Sequence, residues 1–281
     1  MLGQRIITAL LMLAVLLPAV FYPVPFPFLT VALILIAAGA WEWAKMNQMS
    51  FQVSLLYGAL CALLCAVTWF VGGVQTPMRM FWIFAGSAWV LIGSLLLRAG
   101  VAAWSGVPKS IRLLGGMLAL WAAWLAVAQA RAVGINFLFS VLVLVWVADI
   151  FAYFFGRALG GRFFTNKLAP SISPGKTWEG ALGGMLGVVV CAFLWRWIDT
   201  VLVVDSLSLY SRLWERGPVV MFVAVVFMAA MSVVGDLVES LFKRNAGIKD
   251  SSALLPGHGG VLDRVDALLP TLSIAMMLST V

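Results

Sequence analysis

The chain is 281 residues long, 63% hydrophobic and 10% charged, with 18 Lys and Arg against 11 Asp and Glu for a net charge of +7. Soluble domains are about 45–50% apolar and about 25% charged, so this composition excludes a water-soluble fold, whose interior could not hide that much apolar surface. The positive charge does not call for nucleic acid, because excess Lys and Arg in a membrane protein marks the cytoplasmic loops.

About 20 apolar residues cross a bilayer core. On that rule the first segment runs Ile6–Tyr22. Arg5 ahead of it suggests a signal peptide, yet no small-residue cleavage site and polar mature domain follow, so it reads as the first membrane helix. The Pro-rich turn Tyr22-Pro-Val-Pro-Phe-Pro27 predicts a tight hairpin into a second segment, Phe26–Trp41. Five more follow at Leu55–Gly72, Met80–Leu97, Leu113–Ala130, Ile135–Phe155 and Ala181–Trp195. The last two are Pro218–Gly235 and Ala267–Val281, the latter short and containing Pro270. The expected fold class is all-α, a polytopic transmembrane helical protein with about nine spans. Trp41, Trp43, Trp104, Trp195 and Trp197 fall near segment ends, as interfacial anchors do. Gly183, Gly184 and Gly187 suit close helix packing in lipid. Cys61, Cys65 and Cys191 lie in apolar runs without metal-like spacing. No convincing internal repeat is visible.

With the N-terminus inside, alternation through nine segments puts 13 of the 18 basic residues on the inner side, so that orientation is preferred. Carboxylates are distributed unevenly. Residues 1–140 contain one, Glu42, and the other ten follow. Charges at membrane depth are costly and usually functional. Residues 1–134 therefore read as scaffold helices, and 135–281 as a catalytic membrane domain.

The most polar stretch runs from Ser240 to Asp266, directly after Gly235-Asp-Leu-Val-Glu239. On one helix, Asp236, Glu239, Ser240 and Lys243 share a face. Pro256-Gly-His-Gly-Gly260 is a turn whose glycines, Gly259 and Gly260 among them, let backbone N–H groups approach a ligand, as phosphate-binding loops do. Asp263 and Asp266 follow, and carboxylates beside phosphate are most simply Mg²⁺ ligands. Lys243, Arg244, Lys249 and Arg264 can neutralise phosphate charge. His258, the only histidine, sits inside this loop with its role open. Asp149 lies near the inner end of an apolar span with Arg157 two turns on, either as a site carboxylate or as a structural pair. Ser173-Pro-Gly-Lys-Thr lacks Walker spacing, and Ser173 and Pro174 suit the start of the next helix.

Ser240-Leu-Phe-Lys-Arg, Lys249-Asp250, Pro256-Gly-His-Gly-Gly and Asp263-Arg-Val-Asp266 together resemble the pattern of the phosphatidate cytidylyltransferases, the CDP-diacylglycerol synthases. Asp149-Ile-Phe-Ala-Tyr-Phe-Phe-Gly-Arg157 and Ser173-Pro-Gly-Lys-Thr-Trp-Glu-Gly180 resemble the same family, and single out Lys176 and Glu179. The resemblance is specific across residues 149–266. It implies transfer of CMP from CTP to phosphatidic acid with release of pyrophosphate, dependence on Mg²⁺ and, in some members, a monovalent cation such as K⁺. The expected catalytic residues are Asp236, Ser240, Lys243, Asp263 and His258, with Asp236, Asp263 and Asp266 on the metal. Asp149, Arg157, Ser173, Lys176, Arg244, Lys249, Gly259, Gly260 and Arg264 are expected at the substrates. The expected partners are CTP, phosphatidic acid and the bilayer, with no nucleic acid and a homodimer left open. The site is expected to face the cytoplasm from the inner membrane. A transporter and a CDP-alcohol phosphotransferase are the rival classes, the second lacking its DGxxAR signature here.

Overall fold

The computed structural model describes residues 2–280, apart from the side chains of Leu2 and Arg5. The Arg5 side chain of the inner charge count and Val281 at the end of the ninth segment thus lie outside what is described. Among the described residues the secondary structure is helical, with two isolated bridges and no strand. The helices are α1 (Leu2–Phe21), α2 (Phe26–Met46), α3 (Phe51–Phe70), α4 (Arg79–Ala99), α5 (Val101–Ser105) and α6 (Lys109–Val133). They continue with α7 (Ile135–Leu159), α8 (Trp178–Val201), α9 (Leu209–Glu215), α10 (Pro218–Asn245), α11 (Leu262–Val265) and α12 (Leu268–Thr280).

Seven of these, α2–α4, α6–α8 and α10, are long and apolar enough to cross a membrane, and the apolar part of α1, Ile6–Phe21, is shorter. The protein is a multi-pass membrane protein. The expected count of nine is not reached by length. α12 has 13 residues, about 20 Å of rise against about 30 Å of hydrocarbon. Its residues Pro270 to Met276 are buried without a break, so every face of the helix is covered by protein. It packs on α4, α6 and α10 and forms the middle of the bundle.

Contacts at helix ends sort into two levels. At one end Arg131 Nε and Nη2 donate to the carbonyls of Val20 and Tyr22, Asn136 bonds Asp199, and Arg216 Nη1 donates to Leu278 O. At the other, Trp43 Nε1 donates to Arg112 O and Asn245 Nδ2 to Val101 O. That second, polar end carries the loops 160–177 and 246–261. Trp43 departs from the interfacial role expected of it. It is buried and packs edge-on against Phe242 at 4.9 Å, because α2 runs past Trp41 to Met46.

The glycines of α8 do what close packing requires. A Cβ on Gly180 or Gly184 would press on the carbonyl of Ala152 or Ala148 in α7, so the two helices meet backbone to backbone. α8 begins at Trp178, with Thr177 Oγ1 accepting from Gly180 N as an N-cap. Ser173 and Pro174 therefore lie in the preceding turn rather than at the helix start.

Candidate active site

α10 continues through the polar residues after Gly235, so Asp236, Glu239, Ser240 and Lys243 do lie along consecutive turns of one helix. Ser240 Oγ donates to Asp236 Oδ1 at 3.3 Å, and Asp236 Oδ2 pairs with Lys176 Nζ at 2.5 Å. Lys243 lies between two carboxylates, Glu239 and Asp263, with Nζ 2.6 Å from Asp263 Oδ1. Its side chain is only 11% exposed, and both carboxylates share its charge.

The chain after α10 turns back into the bundle. Asp236 lies about 14 Å, by helix rise, inside the Asn245 end of α10, and Gly235 sits against Asp266 O and Pro270. A returning loop carries backbone N–H groups that must find acceptors. Two carboxylates supply them. Glu42 of α2, fully buried, accepts from Val261 N at 2.9 Å and Ser252 Oγ at 2.5 Å on Oε1, and from Leu262 N at 2.8 Å and Ser251 Oγ at 3.2 Å on Oε2. Asp263 Oδ2 accepts from Gly260 N at 2.8 Å and Ser251 N at 2.9 Å, and shares the single Ser251 hydroxyl proton with Glu42 Oε2, its own distance to that oxygen being 2.9 Å. Gly260 is needed for close approach, since a Cβ there would collide with Ser251 Oγ and Glu42 Oε1. Gly259 adopts φ +83°, which L side chains avoid.

Burial alone would push the Asp263 carboxyl up, but the Lys243 ammonium and the N–H groups of Gly260 and Ser251 outweigh it and hold Asp263 below the usual range. Asp266 goes the other way. Burial first, then the facing Asp236 charge and more weakly Asp149, push its carboxyl up to about 7 against the pull of Ala267 N and Lys243. The charges of Asp236, Lys176 and Arg264 bear in turn on Asp149. Asp149, Asp236, Asp266, Lys176 and Arg264 thus form one electrostatic cluster, with the Glu239–Lys243–Asp263 group beside it.

On the open side of the loop, Lys249, Asp250, His258, Gly259 and Arg264 line a cavity of about 510 Å³. Among the described residues His258 Nδ1 is shielded without a hydrogen-bond partner, an orphan that a ligand could satisfy. The second loop, 160–177, is docked on α10 by Arg244 Nε, which donates to Ile172 O at 3.2 Å, while Ile172 packs on Leu237 and Leu241. Glu179 Oε1 holds that loop through Gly161 N, Phe163 N and Phe164 N at 3.0–3.1 Å. Ser173 is in it, its N–H bonded to Ala169 O. Arg157 is exposed and donates to Tyr153 Oη; no ion pair joins it to Asp149 among the described residues.

Three residues were not singled out for the site from sequence. Glu42 was legible only as the lone carboxylate of the first half. Glu239 was placed on the α10 face without a role, and Ser251 carried no signal at all.

The chain matches the model of a family described as the cytidylyltransferase family over residues 3–281. It belongs to that family. Among its relatives, phosphatidate cytidylyltransferase of Haemophilus influenzae is 35% identical over 95% of both chains. The protein of that name from Pseudomonas aeruginosa is 36% identical, covering 95% of this chain and 93% of its own. The one from Brucella abortus is 47% identical over 135 residues, covering 48% of this chain and 42% of its own. Membership in the cytidylyltransferase family makes the chain a nucleotidyltransferase, and the loop geometry above is the place to look for its nucleotide.

Proposed function

We propose that this chain transfers CMP from CTP to phosphatidate, giving CDP-diacylglycerol and pyrophosphate, at the polar end of the bundle facing the cytoplasm from the inner membrane. The observation that carries the reading is the returning loop, which sets a cation-lined cavity beside a carboxylate cluster inside the end of α10. A polyanion can enter such a recess from water while a lipid keeps its acyl chains in the adjoining leaflet. The excess of basic residues at this end supports the cytoplasmic orientation.

In the reaction, a phosphate oxygen of phosphatidate forms a bond to the α-phosphorus of CTP. The bond from that phosphorus to the β-bridging oxygen breaks, and its electron pair leaves with pyrophosphate. A phosphate monoester is largely dianionic at neutral pH, its second pKa being about 6, so no strong general base is needed. Among the described residues no three His, Cys, Asp or Glu side chains stand close enough to hold a metal by themselves. Mg²⁺ seldom asks for that, since one or two carboxylates with substrate phosphates and water complete its shell. Asp236 and Asp266 fit, being two carboxylates whose charges act on each other, with the Asp236 side chain about one-third exposed. Asp263 would reach a metal only by releasing Lys243, its two oxygens being engaged already. Mg²⁺ held by Asp236 and Asp266 would draw charge off the transferring phosphoryl oxygens. Lys249 and Arg264 bind the triphosphate, and His258 Nδ1 takes a hydrogen bond from or to the nucleotide. Glu42, Asp263 and Lys243 hold the loop so that these groups are fixed before substrate arrives.

The test is purified protein in detergent with phosphatidate, Mg²⁺ and each of the four nucleoside triphosphates. Lipid-linked CMP and pyrophosphate are expected with CTP alone. Release of inorganic phosphate without a lipid product, or equal use of ATP, would sink the assignment.

A further inference from the structure

The catalytic half contains a repeat that its sequence conceals. Asp149-Ile-Phe-Ala-Tyr-Phe-Phe-Gly-Arg157 on α7 and Asp236-Leu-Val-Glu-Ser-Leu-Phe-Lys-Arg244 on α10 have equal length, with Phe155 matching Phe242 and each arginine in its helix's last turn. Each chain leaves its helix through a glycine of positive φ, Gly161 at +81° and Gly247 at +71°. Leu168-Ala-Pro170 and Leu254-Leu-Pro256 then lead into turns closed alike, by bridges Ala169–Ser173 and Leu255–Gly259. The second residue of the next helix is in both cases a carboxylate, Glu179 of α8 and Asp263 of α11. Each reaches back to loop N–H groups, including Phe164 N and Ser251 N, which stand at the same spacing from Asp149 and Asp236. The units also exchange charges. Lys176 of the first pairs with Asp236 of the second, and Arg264 of the second bears on Asp149 of the first.

The surroundings of the copies differ. The second turn opens on the polar cavity with Lys249, His258 and Arg264. The first is bordered by exposed Tyr153, Phe163, Phe164 and Trp178, the aromatic residues that settle at a membrane–water boundary. Symmetry also breaks at the arginines. Arg244 is used to dock the first turn, whereas its counterpart Arg157 is bonded only to Tyr153 Oη among the described residues and is exposed.

We propose that the two units divide the two phosphate-bearing substrates. The second takes the triphosphate of the nucleotide. The first, through the exposed Arg157, takes the phosphomonoester of the lipid. The division rests on the proposed function and refines it: two copies of one loop, one on each side of the carboxylate cluster, would bring two polyanions head to head.

The experiment is equilibrium binding by calorimetry of CTP and, separately, of dihexanoyl phosphatidate to the detergent-solubilised wild type, Arg157→Gln and Lys249→Gln. Both side chains are exposed, so the variants are expected to keep the wild-type melting temperature. Arg157→Gln should weaken phosphatidate roughly 10-fold or more, by loss of a charge-assisted contact, and leave CTP within about twofold. Lys249→Gln should do the reverse, and Arg157→Lys should restore part of the lipid affinity. Arg157→Gln weakening CTP alone, both variants weakening the same ligand, or neither affecting either one would overturn the division. The readout does not depend on turnover, so a wild type that binds both ligands but forms no lipid-linked CMP counts against the function and not against the division.

Discussion

Glu42→Gln is the sharpest probe of how the loop is held. Each carboxylate oxygen of Glu42 accepts one backbone N–H and one hydroxyl, Val261 N with Ser252 and Leu262 N with Ser251. An amide keeps one such oxygen. Its NH₂ must face the other pair, where the serine hydroxyl can rotate to accept but the backbone N–H cannot. One buried N–H is left unpaired, which costs about 1–3 kcal/mol, and the surviving bonds lose their charge assistance. If the loop opens locally, that cost lowers hydrogen-exchange protection at Val261 and Leu262 by roughly 5- to 150-fold while the core of α10 keeps its own. Exchange with mass-spectrometric readout on peptides covering 251–265 measures it. CTP affinity should fall in parallel, and Glu42→Asp should not rescue, being one methylene too short to reach both N–H groups. Unchanged protection at residues 261 and 262 in Glu42→Gln would refute the role given to this carboxylate.

Gly260→Ala inserts a Cβ into Ser251 and Glu42, and should abolish CTP binding without preventing membrane insertion, as calorimetry and membrane fractionation will show. For Asp263, a depressed carboxyl stabilises the fold above the unfolded value near 3.9 and loses that contribution as pH falls through the folded value. Melting temperature should therefore drop on acidification below about pH 4 in the wild type, and more shallowly in Asp263→Asn, which should also lose most turnover. A cysteine-accessibility scan should label positions 109, 167 and 249 only from the cytoplasmic side and position 215 only from outside; labelling of 249 in intact cells would invert the orientation.

Composition alone decided the class of this protein. With 63% of the chain apolar and gathered in long unbroken runs, helices in lipid are what satisfies the backbone, and the positions of all nine apolar segments reappear as helices. The α10 face was legible for the same reason, because helical period is local and fixes which residues share a side. The pattern Ser240 to Asp266 was legible as a family likeness and pointed to the loop that returns into the bundle. What periodicity could not state is how a loop returns. α12 reads as a ninth span by composition, and only its burial on every side shows that it is the centre of the bundle. Spacing leaves Lys243 either as a phosphate ligand or in an ordinary ion pair; its pair with Glu239 is local, and only the returning loop adds Asp263. Glu42 is separated from Leu262 by 220 residues, and no local rule connects them. The repeated unit escaped because its identity lies in which backbone groups a carboxylate reaches, and few side-chain types need be kept for that. Local periodicity and transfer energy set the helices; long-range hydrogen bonding and charge pairing, which depend on where the chain comes back, set the site.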